Sequence, residues 1–473
     1  MSSPALYESS ISSLGAALRS RQLTSVELTS AALERVRRYD SDISAFITVT
    51  AERAMADARA ADAAFDSGID RGPLQGIPYG LKDIFATAGV ATTCNSRLRV
   101  DHVPRKDAAI ESALRAGGAV LLGKLNTHEF ALGGPSYDLP FPPARNPWNY
   151  AHFTGGSSSG CGAAVAAGFL RLAFGSDTGG SIRSPAGHCG VVGLKPTYGR
   201  VSRRGAFPLS YSLDHCGMLS SSVEDAALAL GVVAGYDCCD PSSADVPVPD
   251  FCADIGRDLH GLRIGYARKF FATLEGLSGE VLGTLDSAAQ TLASLGATVE
   301  DIALPDFSQF KACARIIMLA EAYAIHEADL QTRPKDFGRY TFQRIAGAAA
   351  LTAADLLQAM RLRRVLTVDF NTRVLDRYHA VITATNLTPA PPLAVFPEQW
   401  PPPGPAMGAL TAPFNVTGNP VLNVPAGFSA ARLPIGMQIV GRLFDETQLF
   451  RIGHAYEKAA SFSTMRPSLD RCA

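Results

Sequence analysis

The chain has 473 residues, 47% hydrophobic and 18% charged, with a formal net charge of −1. That balance excludes a disordered polypeptide and leaves no basic face for nucleic acid or an anionic membrane. The length passes the roughly 250–300 residues at which single cores stop growing. No repeat or long low-complexity linker divides it, so one continuous α/β body over 1–473 is expected.

The first seventy or so residues (1–70) read as helices. Thr24-Ser25-Val26-Glu27 matches a capping box, and Val26, Leu33 and Val36 then recur at helical spacing until Arg37, Arg38 and Tyr39. An alanine-rich second helix is expected over about Thr50 to Phe65. Over 71–235, short β-like runs such as Ala119–Leu122 alternate with Gly/Ser-rich turns, the texture of a layered α/β fold. Tyr236–Phe251, with three prolines among aspartates, reads as a surface connection. Leu262–Tyr266 reads as a strand, Val281 to Leu295 as a helix and Ala297–Val299 as another strand. Residues 306–378 are expected to be helical and to cap the core. Ala380–Thr385 is expected to be a buried strand, and 387–405 an irregular proline-rich loop. The C-terminal stretch (381–473) then returns to strand-turn-helix patterns.

The nine cysteines are odd in number, lack a C-x-x-C and include the adjacent pair Cys238–Cys239. They fit free thiols in a reduced, cytoplasmic setting. The opening segment lacks the basic and apolar regions of a signal peptide, and no run of about 18 apolar residues suggests a membrane span.

Three segments carry chemistry when taken together. Gly76-Ile77-Pro78-Tyr79-Gly80-Leu81-Lys82-Asp83 is an apolar run ending in a lysine. Gly155-Gly156-Ser157-Ser158-Ser159-Gly160 precedes small residues able to start a helix. Gly175-Ser176-Asp177-Thr178-Gly179-Gly180-Ser181-Ile182-Arg183 reads as a strand running into a tight turn, with Gly179 and Gly180 open to positive φ. Taken singly, each has a plain structural explanation: a surface Lys82–Asp83 ion pair, a flexible loop, a turn. The glycine-rich loop also lacks the spacing of a nucleotide-binding motif.

Amide hydrolysis needs a nucleophile, a base, an acid for the leaving amine and donors for the oxyanion. A serine directly after Thr178-Gly179-Gly180 would supply nucleophile and oxyanion hole from one turn. No G-x-S-x-G elbow suggests a histidine partner. A desolvated lysine can serve as base instead, and Lys82 follows an apolar run. His128 has no second histidine at ligand spacing, so a structural or pocket-lining role is expected rather than a metal site. His188 and His215 are expected in packed turns, and Cys161 as a small buried residue.

These segments, with Cys189-Gly190-Val191-Val192-Gly193-Leu194-Lys195-Pro196-Thr197 downstream, resemble the glycine/serine-rich signature of the amidase signature family. The likeness extends over Leu23–Asp62, Gly72–Gly89, Gly117–Gly133, Pro196–Asp225 and, more loosely, Phe414–Gly441. It implies an α/β/α sandwich with a mixed central sheet flanked by helices on both faces. It also implies Lys82 as base, Ser157 as a relay on a cis peptide, and Ser181 as nucleophile. The oxyanion would be held by backbone N–H groups of Thr178, Gly179, Gly180 and Ser181, and the turns braced by Ser158, Asp177 and Arg183. No cofactor or metal is required. Within the family, the absence of an anchor segment speaks against a membrane-bound enzyme. Val381–Pro392, reading VITATNLTPAPP, lacks an evident ligand for a glutamine head group. The expectation is therefore a stand-alone hydrolase of neutral, fairly apolar amides, with carbamates and esters as further substrates. It would act on a small molecule without nucleic acid or membrane and at most as a homodimer. Its pocket would be walled by Leu132–Tyr137, the helices of 306–360 and the proline-rich loop. The alternatives are the A-type glutaminase subunit of a glutamyl-tRNA amidotransferase and a ureide-type amidohydrolase.

Overall fold

The computed structural model describes residues 7–132, 134–396, 410–462 and 465–470. Helix α1 (Ile11–Arg19) buries Ile11, Leu14 and Leu18. Helix α2 (Ser25–Ile43) starts on the expected capping box, with the Thr24 hydroxyl accepting from the Glu27 N–H and the Glu27 carboxylate accepting from the Thr24 N–H. It continues past Arg37 and Arg38 because those charges lie on its outer face while Val36 and Ile43 stay buried. Strand β1 (Phe46–Val49) follows, then α3 (Ala51–Asp66), whose buried stripe is Ala54, Ala58, Ala61 and Ala64.

The central region supplies β2 (Pro78–Lys82), α4 (Ala109–Ala116), β3 (Val120–Leu125), β4 (Arg145–Asn146) and β5 (Asn149–Phe153). It continues with α5 (Ser159–Ala166), β6 (Leu172–Asp177), α6 (Arg183–Cys189), β7 (Val192–Lys195), β8 (His215–Ser220) and α7 (Val223–Val233). Residues 236–251 form turns without helix or strand. Then come β9 (Arg263–Tyr266), α8 (Arg268–Ala272), α9 (Gly279–Ser294) and β10 (Thr298–Asp301). Residues 307–369 hold the helices α10 (Phe307–Thr332), α11 (Arg339–Ala346) and α12 (Ala353–Asp369). The chain closes with β11 (Ala380–Ala384), α13 (Pro413–Thr417), β12 (Val421–Phe428), β13 (Pro434–Gly441) and α14 (Glu446–Ala460).

One mixed sheet of 11 strands runs β1-β3-β2-β6-β8-β7-β12-β13-β11-β9-β10. The pairs β2–β3, β2–β6, β9–β11 and β9–β10 are parallel, and the others are antiparallel. Every residue of β2, β3, β6 and β8 is buried, as expected of strands covered by helices on both faces. Alternation along β3 divides its side chains: Leu121 packs with Tyr79, Leu81 and Phe174 on one face, while Val120 and Leu122 pack with Ala163, Ala164 and Phe169 on the other. This is the α/β/α arrangement expected from the sequence, and β12 and β13 return to the middle of the sheet.

Among the described residues no single helix is long and apolar enough to cross a membrane. Cys94, Cys161, Cys189, Cys216 and Cys313 are buried free thiols, Cys252 is half-buried, and Cys238 and Cys239 are exposed. Of the expected proline-rich loop, 397–405 lie outside the described residues, and Leu393–Val395 form a short 3-10 turn.

Candidate active site

Lys82 ends β2, flanked by parallel β3 and β6, and is fully buried. Its Nζ donates to Ser157 Oγ at 2.7 Å and to Ser176 Oγ at 2.9 Å. Burial lowers its pKa to about 8, against the opposing pull of Cys161, Asp214 and Asp177. A neutral amine is therefore accessible near physiological pH. Asp83 is not its partner: that carboxylate lies 3.0 Å from Lys124 Nζ and accepts from Thr93. Asp83, in the turn that follows β2, is taken up by Lys124 and Thr93, so the simple ion-pair explanation of Lys82–Asp83 does not hold.

Ser157 follows a cis peptide from Gly156, as the resemblance implies. A Cβ on Gly156 would collide with the His128 ring, so the turn admits only glycine there. Ser158 ties this turn to the next: its N–H donates to Ser181 O at 3.1 Å and its hydroxyl to Ser176 O at 3.2 Å. Helix α5 then begins at Ser159, and all its small side chains are buried.

Ser181, half-buried, stands between the end of β6 and the start of α6. Positive φ falls on Gly180 (125°) and not on Gly179. A Cβ on Gly180 would collide with Thr411 Oγ1, so glycine is needed for space as well as conformation. The Gly180 N–H donates to Asp177 Oδ1 at 2.8 Å, which occupies one of the expected oxyanion donors. Among the described residues the N–H groups of Thr178, Gly179 and Ser181 have no such acceptor.

Asp177 and Arg183 form a fully buried pair, with Nη2 to Oδ1 at 2.8 Å and Nε to Oδ2 at 3.0 Å. The other guanidinium donors reach Thr411 O, Gln438 Oε1 and Asn415 Oδ1 at 2.8, 2.8 and 2.6 Å. Burial alone would raise the Asp177 carboxyl; Arg183 overrides it and holds the group well below the usual carboxylate range. This network locks the turn that carries Ser181, with Thr411 Oγ1 donating to Gly179 O at 2.6 Å as a further clamp.

Several of these participants escaped the sequence reading. Ser176, in the quoted segment but unremarked, is the second acceptor of Lys82. Asp214, buried, accepts from the Thr178 hydroxyl at 2.5 Å and from the N–H groups of Leu209 and Ser210. Asn415 comes from α13, Thr411 from the turn before it and Gln438 from β13. Nothing in the local sequence marks such distant partners.

His128 is buried, stacks on Phe153 at 5.8 Å, and burial pushes its pKa down to about 3. It packs against the Gly156–Ser157 turn as a neutral ring. His188 lies on α6, whereas His215 sits on β8 rather than in a turn, with Nδ1 2.7 Å from Leu213 O. Cys161 is buried and its thiol is pushed up to about 12, which leaves it unreactive.

A cavity of about 490 Å3 opens beside the site and is lined by Ile84, Ser176, Arg203, Phe207, Asp214 and Asp240. Of the expected wall, Leu132 packs in a cluster with Leu209, Ala322 and Ile345, while Gly134, Pro135 and Ser136 line a small pocket with His128 and Phe153.

The amidase family model matches residues 27–450. The chain belongs to the amidase signature family. It is a hydrolase acting on carbon–nitrogen bonds other than peptide bonds. The A-type subunit of the glutamyl-tRNA(Gln) amidotransferase of Geobacter metallireducens is 39% identical, over 98% of this chain and all of the relative. The structure of the corresponding A-type subunit of the Thermotoga maritima glutamyl-tRNA(Gln) amidotransferase is 31% identical, with a TM-score of 0.81 over 95% of this chain and 98% of that one. A chain described in connection with a vestigial protein complex and the origins of an s-triazine catabolic enzyme, solved with inhibitor bound, is 35% identical, with a TM-score of 0.88 over 94% and 97%.

These relatives correct two expectations. The stand-alone hydrolase of neutral, apolar amides gives way to the first alternative, because full-length relatives are named as amidotransferase subunits. The expected partner set, a small substrate and at most a homodimer, falls with it. The error lay in arguing from Val381–Pro392 alone: a missing ligand in one segment says nothing about residues the fold brings from elsewhere.

Proposed function

We propose that this chain is the amide-hydrolysing subunit of a multi-chain amidotransferase, releasing ammonia from the carboxamide of glutamine. The observation that carries the reading is full-length identity of 37–40% to subunits of that name. The site supports the chemistry, because a buried lysine of depressed pKa lies 2.7 Å from the Ser157 hydroxyl.

In this reading neutral Lys82 takes the proton of Ser157 while Ser157 takes that of Ser181. Ser181 Oγ attacks the carboxamide carbon, and N–H groups of Thr178, Gly179 and Ser181 hold the oxyanion. Such a donor is typically worth about 10²–10³ in rate. The proton returns through Ser157 to the leaving nitrogen, ammonia departs, and water cleaves the acyl-serine to glutamate. Asp177, Arg183 and Ser158 act by fixing the turns.

A second reading keeps the multi-chain setting but replaces glutamine by a urea-type amide. It is favoured by the 0.88 TM-score to the chain tied to s-triazine catabolism. Ammonia release from glutamine and from biuret, by the chain alone and co-expressed with its source's other amidotransferase subunits, separates the readings. Glutamine turnover that depends on the other subunits and vanishes in Ser181→Ala supports the first. Turnover of biuret but not glutamine supports the second. Equal turnover with and without the other subunits overturns the partner-dependent account.

A further inference from the structure

Cys238 and Cys239 are adjacent, exposed and held in a turn at the rim of the cavity beside the active site. Their sulfurs lie 4.0 Å apart, and with an Asp237 carboxylate oxygen the ligand atoms all fall within 4.8 Å of one another. Two thiolates at zinc–sulfur distances of about 2.3 Å in tetrahedral geometry stand about 3.8 Å apart. The observed separation needs almost no adjustment to accept such an ion.

The turn is built rather than incidental. The Asp237 N–H donates to Ser243 Oγ and the Cys239 N–H to Asp237 Oδ1, both at 2.9 Å. Asp237 Oδ2 accepts from Ser202 at 2.7 Å and from Arg204 at 2.8 Å. The carboxylate is thus oriented by bonds that leave it lone pairs to spare. With the thiols ionised, the carboxylate and two thiolates set three negative charges against the one positive charge of Arg204. The remainder matches a divalent cation.

We propose that Asp237, Cys238 and Cys239 form a binding site for a thiophilic divalent cation of the zinc or cadmium type. Each thiol gives up its proton to solvent as a metal–sulfur bond forms, the carboxylate supplies the oxygen ligand, and the open side faces water. The cavity's lining links this site to the chemistry: Cys239 and Ser242 line the same cavity as Ser176, which accepts from Lys82. The metal site stands independently of the proposed function, and its test reads binding rather than turnover.

The test is titration of the chelator-stripped full chain with Cd2+, following the thiolate charge-transfer absorption, and with Zn2+ against a chromophoric competitor. One ion per chain is expected, with two protons released and Cys238 and Cys239 shielded from a thiol reagent. Cys238→Ser and Cys239→Ser should each weaken binding about tenfold or more. As both side chains are exposed, thermal unfolding of the metal-free variants should match that of the parent. Absence of a thiolate band, or binding unchanged in both variants, overturns the proposal.

Discussion

The sheet centre around Lys82 and the outer helices α10–α12 are built on opposite principles. At the centre, strands β2, β6 and β8 are wholly buried, and the charged pairs there are enclosed and matched atom by atom, as in Arg183 with Asp177. On the outer helices, Leu357, Val365 and Val368 of α12 are 65, 57 and 58% exposed. Pairs toward that side of the molecule, such as Arg268–Asp286, are open to solvent on both sides. The lesson is that reaction chemistry resides where the environment shifts pKa values and fixes geometry, while the outer layer is free to differ. Substitutions should therefore have effects graded by region.

The steepest contrast concerns the reacting groups. Ser181→Ala and Lys82→Ala should each lower kcat for amide hydrolysis by about 10⁴-fold or more, measured by ammonia release. Loss of less than about tenfold in either would detach the chemistry from the buried centre.

Charged pairs offer a comparison in stability. Arg183→Met strands Asp177 in the interior and should cost about 3–5 kcal/mol in urea unfolding. Arg268→Met, at the exposed pair, should cost less than about 1 kcal/mol. Equal costs would erase the distinction drawn between the two regions.

Proton occupancy gives a third handle. Burial depresses the Lys82 pKa to about 8, so the neutral base is scarce below that pH and dominant above it. The rate constant kcat/KM should then rise about tenfold per pH unit up to about pH 8 and level off above it. A profile flat from pH 6 to 9 would remove Lys82 as base. The smallest effect is expected at Asp214, which orients Thr178 and lines the cavity beside the site. Asp214→Asn should lower kcat by about tenfold with KM within about twofold, since the charge-assisted hydrogen bonds from Thr178, Leu209 and Ser210 are weakened. A change in KM alone would show that Asp214 serves binding instead.

The sequence was most informative where residues that act together are also neighbours in the chain. The Gly155–Gly160 and Asp177–Arg183 segments show serines, glycines and ion pair in short runs, and the apolar run before Lys82 signals its burial. Long-range partners left no such trace. Thr178 meets Asp214 across 36 residues, and Arg183 meets Asn415 across 232. The helix and strand pattern fared similarly: buried runs such as β3 and β11 were legible, but the extension of α2 to Ile43 was hidden by outward-facing arginines. The misjudged functional setting came from the same source. Partner surfaces and head-group ligands are assembled by tertiary structure and need not follow the strand that was inspected.

The most direct test of the account is to label the chain with an activated acyl or sulfonyl fluoride probe and map the adduct by peptide mass spectrometry. A single adduct on Ser181, lost in Ser181→Ala and strongly slowed in Lys82→Ala, is the predicted result. An adduct on Ser157 or on a cysteine, or labelling of Ser181 indifferent to Lys82, would contradict the assignment of nucleophile and base.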